Sequence, residues 1–117
     1  MLPAQYRMRR STEFADTIKR GTRSVQPDLV VHARRTGCPD GPRIGLVVSK
    51  SVGTAVDRHR VSRRLRHVAR DLLGELDSAD RIVIRARPSS REAVSESFNR
   101  QLQAGFKHAL RRAGVPR

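Results

Sequence analysis

Residues 50–73, KSVGTAVDRHRVSRRLRHVARDLL, carry an apolar period and a charged period on one helix-length stretch. Val61, Leu65, Val68 and Leu72, continued by Leu76 with Ala69 and Leu73 beside them, recur at three- and four-residue intervals. At about 100° per residue these positions share one side of a helix. Arg60, Arg63, Arg64 and His67 fall on the other side, and Arg58 lies near the apolar edge in the first turn. Thr54 followed by Asp57 reads as an N-cap with a capping box, which starts the helix at Ala55.

Arg58, Arg60, Arg63, Arg64, Arg66 and Arg70, with His59 and His67, stand in this run without an acid among them. Only Asp57 and Asp71 bracket it. Like charges three and four apart each destabilise an isolated helix by roughly 0.2–0.5 kcal/mol. An ordinary solvated face interleaves Glu with Arg. A polyanion that neutralises the face is the simplest reason to keep it, so phosphate binding is the reading.

The whole chain leans the same way. Its 117 residues suit one domain, 1–117, with a modest core. Lys plus Arg number 25 against 11 Asp plus Glu, a net charge of +14. Only Lys19, Lys50 and Lys107 are lysines, and arginine is the residue of bidentate phosphate contacts. No apolar run approaches the ~18 residues of a membrane span, and MLPAQYRMRR lacks the apolar stretch of an export signal. Cys38 alone supports neither a disulfide framework nor a cysteine-cluster zinc site, and reads as an idle surface thiol in a turn. The expectation is a cytoplasmic nucleic-acid-binding protein with no membrane contact and no small-molecule substrate.

Outward from the basic helix, RIGLVVSK (Arg43–Lys50) alternates as a strand, with Ile44, Leu46 and Val48 on one face. LVVHARR (Leu29–Arg35) reads as another, and the dense turn signal Thr36–Pro42 between them predicts an antiparallel hairpin. A short extra strand falls near Thr22–Val25. Ser11 reads as the N-cap of a helix through Arg20 whose apolar residues Phe14, Ala15 and Ile18 share one face, and which stops at Gly21. The ten residues before it read as basic, irregular and flexible, with Leu2 and Tyr6 as anchors. On the other side, RIVIRAR (Arg81–Arg87) is a strand stopped by Pro88. Ser89 with Glu92 reads as a second capping box, opening a helix to about Arg112 with the stripe Val94, Phe98, Leu102, Phe106, Ala109 and Leu110. The order α-β-β-β-α-β-α predicts an α+β domain with a single sheet packed by helices.

Nothing in the sequence reads as a catalytic motif. The acids are scattered, and there is no phosphate-cradling glycine loop, HExxH or nucleophile elbow. His32, His59, His67 and His108 sit on different predicted elements or too far apart to share a metal ion. An exposed histidine in a basic face reads as an accessory phosphate or base contact before a general base. Tyr6, Phe14, Phe98 and Phe106 are too few for a binder built on stacking platforms.

Three segments carry a family resemblance: MRRSTEFADTIKRG (Met8–Gly21), RIGLVVSKSVGTAVDRHRVSRRLR (Arg43–Arg66) and DRIVIRARP (Asp80–Pro88). Together with the element order they resemble the protein subunit of bacterial ribonuclease P. The resemblance implies a four-stranded sheet with helices on one side and a left-handed βαβ crossover that contains the basic helix. It implies an RNA subunit that carries the active site with its catalytic magnesium ions. The protein would bind that RNA and the 5′ leader of precursor tRNA, strengthen substrate and magnesium binding, and supply no catalytic residue itself. By position, Arg58, His59 and Arg60 occupy an Arg-Asn-Arg motif. With Lys50, Arg63, Arg64, Arg66, His67 and Arg70 they are the expected RNA contacts, and Phe14, Ile18 and His32 the expected leader cleft. His59 replaces the motif's asparagine, and Ile18 and His32 stand where relatives are often aromatic, which implies weaker leader stacking. A generic or ribosomal-type RNA-binding module and a protein-only nuclease are the rival readings.

Overall fold

The most apolar strand takes the middle of the sheet. In the computed structural model, which describes residues 2–112, Ile82, Val83 and Ile84 are all fully buried. A strand this deeply buried has no water for its backbone N–H and C=O groups, so it pairs with a neighbour along each edge. The strands are β1 (Thr22–Val25), β2 (Leu29–Arg35), β3 (Arg43–Val47) and β4 (Asp80–Ala86), in the spatial order β1-β2-β4-β3. Strand β4 pairs antiparallel with β2, with Val31 opposite Ile84, and parallel with β3, with Ile44 opposite Ile82.

The expected hairpin between β2 and β3 does not form, because β4 lies between them. The Thr36–Pro42 loop instead turns toward the segment entering β4: Thr36 N–H donates to Ala79 O at 2.9 Å and Gly41 N–H to Ser78 O at 2.7 Å. An antiparallel hairpin joins β1 to β2, closed by Gln26 N–H to Leu29 O at 2.7 Å. Strand β3 also ends at Val47, short of the predicted Lys50, which belongs to a 3₁₀ turn at Lys50–Val52.

Three α-helices complete the fold: α1 (Ser11–Arg20), α2 (Ala55–Asp71) and α3 (Ser95–Arg112). Helix α2 fills the connection between the parallel strands β3 and β4. Its Val61, Leu65, Val68 and Ala69 join Phe98, Leu102, Phe106, Ala109 and Leu110 of α3 over Leu29, Val31, Ile44, Ile82 and Ile84. Each Val, Leu, Ile or Phe side chain among them contributes about 1.5–3 kcal/mol on burial, so this layer is the core. Gly53, just before α2, has φ of +153°, and a Cβ there would sit 2.5 Å from the Asp57 carboxylate. Only glycine turns the chain here without strain.

Local expectations shift in four places. Helix α1 begins at Ser11 itself, with Arg10 as an N-cap that makes no side-chain bond. Ser89 does not cap a helix, because its hydroxyl reaches back to the turn before β2 and donates to Asp28 Oδ1 at 2.6 Å. Residues Pro88–Glu92 form a 3₁₀ turn, α3 starts only at Ser95, and Val94 is 62% exposed instead of buried. The N-terminal segment is seated: Leu2 and Met8 are buried, and Met8 N–H donates to Ile44 O at 2.9 Å, covering the edge of β3.

Helices do not all pack on one side. Alternation sends Gly45 and Val83 to the face opposite Ile44 and Ile84. A Cβ on Gly45 would collide with the Phe14 ring and lie 3.1 Å from Met8 Sδ. So α1 sits on the far face of the sheet from α2 and α3.

Candidate nucleic-acid interface

Helix α2 is held at its start by the predicted capping box. Asp57 N–H donates to Thr54 Oγ1 at 3.1 Å, and Thr54 N–H donates to Asp57 Oδ2 at 3.0 Å. The Thr54 N–H, then its hydroxyl, hold the Asp57 carboxyl below its ordinary value against an opposing cost of burial, with Arg91 and Arg60 adding lesser effects in the same direction as Thr54. An ionised Asp57 at a helix N-terminus also suits the dipole.

The apolar stripe packs inward, which forces the arginine stripe outward. His59, Arg60, Arg63, His67 and Arg70 are exposed, while Arg58, Arg64 and Arg66 are half-buried. Arg60, Arg63 and Arg66 form no ion pair among the described residues, whereas Arg70 lies 3.6 Å from Asp71. Arg64 also serves the fold, because its Nη1 donates to Ala93 O at 3.0 Å and ties α2 to the turn before α3. Arg58 tucks its Nε against the protein, where it finds no acceptor among the described residues. Lys50, exposed in the 3₁₀ turn beyond β3, lies at the entrance to this helix.

Phe14, Ile18 and His32 gather on the other face of the sheet. The absent side chain at Gly45 makes room for the Phe14 ring. Phe14 and Ile18 are half-buried, but His32 is only 4% exposed. It lies opposite Arg23 on β1 and Val83 on β4. Neither of its ring nitrogens has a hydrogen-bond partner among the described residues. Burial, then the charges of Arg85 and Arg23, push its pKa below 6.5, so it stands neutral at pH 7 with one donor and one acceptor.

Beyond these residues the same face opens into a groove of about 620 Å³ that sequence reasoning did not assemble. Its apolar floor includes Val30 and Val47, and Arg23, Arg85, Arg87, Ser49 and Ser51 line its sides. A signal was present: arginines at 23 and 85 occupy alternate positions on strands whose other positions face the core. The groove ends beside Lys50 through Ser49 and Ser51, whose hydroxyls share a 2.8 Å hydrogen bond. Two cationic surfaces, one on α2 and one on the open sheet face, therefore meet near that 3₁₀ turn. Together they can hold phosphates on both sides of one sheet edge.

Comparison with known proteins places this arrangement among relatives. The family model described as Ribonuclease P matches residues 2–110. The Ribonuclease P protein component of Mycobacterium avium (strain 104) is 64% identical over 107 residues, covering 88% of this chain and 90% of that protein. That of Mycobacterium ulcerans (strain Agy99) is 54% identical over 120 residues and covers both chains fully. Among solved structures, the RNase P protein of Staphylococcus aureus superposes with a TM-score of 0.73 at 24% identity, over 94% of this chain and 96% of that one. The Thermotoga maritima protein gives 0.71 at 23% identity, over 84% and 92%, and these two likenesses bear on the fold alone.

Proposed function

The chain belongs to the ribonuclease P protein family, and from that premise we propose that it serves a cytoplasmic ribonucleoprotein endonuclease that removes the 5′ leader of precursor tRNA. The observation that carries this reading is the face of α2, where Arg60, Arg63 and Arg66 form no ion pair among the described residues. Lys50, Arg58, His59, Arg60, Arg63, Arg64, Arg66, His67 and Arg70 contact the phosphates of the catalytic RNA. Across the sheet, Phe14, Ile18 and His32 meet the leader, which continues along the groove between Arg23, Arg85 and Arg87.

The protein's work is electrostatic and positional. Guanidinium groups neutralise phosphates, so catalytic RNA, substrate and divalent cations approach at lower cost. The described residues contain no group of three or more His, Cys, Asp or Glu that could hold a metal ion. In this reading magnesium is held mainly by the RNA and substrate, and no chemical step is assigned to a metal held by this chain. Bond cleavage belongs to the RNA in this reading.

The test is cleavage of a precursor tRNA at low magnesium by a bacterial ribonuclease P RNA, with and without the full-length chain. The expected result is 5′ maturation at the correct site only when both are present, and no cutting by the protein alone. Binding without any change in rate or magnesium requirement would reduce the chain to a generic RNA-binding module. Cleavage by the RNA-free protein, lost on mutating His59 or His67, would make it a nuclease in its own right.

A further inference from the structure

A third cationic site lies at the opposite end of the open face from Lys50. Arg9, Arg10, Glu13, Asp40 and Arg43 line a recess of about 320 Å³ between the start of α1, the loop after β2 and the start of β3. Arg43 shares the open face with Gly45, so the whole sheet separates this recess from α2.

The two carboxylates in the recess are already engaged. Arg81, only 3% exposed, sits behind them with its Nε 3.3 Å from Glu13 Oε2 and its Nη2 on Asp40 Oδ1. Counting Arg81, four guanidinium groups face two carboxylates. Arg9 and Arg10 are exposed, and neither side chain has an ion-pair or hydrogen-bond partner among the described residues. Arg43 reaches Asp40 through Nη2 at 3.5 Å, but its Nε is buried with no acceptor there. The Arg43 side chain keeps 30% of its surface exposed, and an oxygen with a full negative charge there would offset its charge together with those of Arg9 and Arg10.

We propose that Arg9, Arg10 and Arg43 form a phosphate-binding site that takes one backbone phosphate of bound RNA. The site is independent of α2, and it rests on the RNA-binding reading given above. Its consequence is a grip from both sides of the sheet, which fixes the protein's orientation on the RNA as well as its affinity.

The experiment uses the full chain and two variants, Arg9→Gln/Arg10→Gln and Arg43→Gln. The first alters only exposed side chains, so it stays informative if the second folds poorly. Inorganic phosphate titrated into the protein should shift the backbone amide signals of residues 9–13 and 43, and Arg9→Gln/Arg10→Gln should abolish those shifts. With a bacterial ribonuclease P RNA and precursor tRNA, each variant should bind about tenfold more weakly at low salt. Its log K against log salt slope should be smaller by about one. Unchanged affinity and slope in both variants would overturn the proposal, and phosphate shifts without an RNA effect would mean an adventitious ion only. Arg60→Gln/Arg63→Gln separates the two readings. A slope reduced only in that variant removes this site and leaves the proposed function standing. Slopes unchanged in all variants would remove the RNA-binding reading itself.

Discussion

On one face of the sheet, Leu29, Val31, Ile82 and Ile84 meet Phe98, Leu102 and Leu65 with every one of these side chains fully buried. On the other, α1 covers only part of the surface, and the buried positions include His32 and Arg81 beside Val30 and Val83. The first face is finished chiefly by hydrophobic packing, with α3 also tied to the sheet by Thr22 donating to Ala109 O and by Gln101 bonding Asp28. The second is finished by an ion-pair network at one end and left as an arginine-lined groove at the other. Burial of apolar area stabilises without specifying a ligand, whereas unpaired donors and charges on the second face are stable arrangements only beside an anion or water. The open face and the outer side of α2 are where binding can act without disturbing the core.

The largest effect that tests this contrast is in the packed layer. Phe98→Ala should cost about 3–5 kcal/mol in urea-unfolding free energy, since its ring is fully buried. Phe14→Ala, a half-buried ring on the open face, should cost about 1–2 kcal/mol. Equal losses would mean that the two faces share one core.

Next comes the network under α1. Arg81→Met leaves Glu13 and Asp40 facing each other, but both carboxylates reach solvent, with side chains 27% and 62% exposed. Water screens the loss, so about 1–3 kcal/mol is expected. Hydrogen exchange should accelerate in α1 and stay unchanged in α3. Acceleration in both would show that α1 is not secured separately.

Arg60→Ala or Arg63→Ala should change stability by no more than about 0.5 kcal/mol, while RNA binding weakens and its salt slope falls by about one per lost phosphate contact. Arg64→Ala should do the same and also lose about 1 kcal/mol of stability through its bond to Ala93 O. If Arg64 and Arg63 variants melt alike, that bond contributes nothing.

The smallest effect is the pH response of His32. Its folded-state pKa lies below 6.5, first through burial and then through Arg85 and Arg23. The unfolded chain therefore binds the extra proton more readily. This contribution to stability is present above the unfolded value of 6.5 and is lost as pH falls through 6.5 toward the folded value. His32→Phe should flatten that part of the melting-temperature profile and leave the alkaline side unchanged. An unaltered acid slope would assign the response to other groups.

The basic helix was legible because both of its signals are local. A 3.6-residue apolar period turns one side inward, the capping box sets the start at Ala55, and every arginine then follows by angle. The strands were legible as strands for the same reason, since alternation is a property of neighbours in sequence. Their order was not. Adjacent strands usually pair, and nothing local at Thr36–Pro42 reveals that β4, nearly forty residues later in the chain, takes the place between β2 and β3. The side chosen by α1 depends on a missing Cβ at Gly45, a gap that matters only once Phe14 arrives from elsewhere in the chain. So the amino-acid sequence by itself determined the family, the elements and the cationic face of α2. Only the tertiary structure decided that His32 is buried without partners among the described residues, that Arg64 ties α2 to the turn before α3, and that Arg43 shares a recess with Arg9 and Arg10. Burial and pairing are sums over distant segments, and a local pattern cannot contain them.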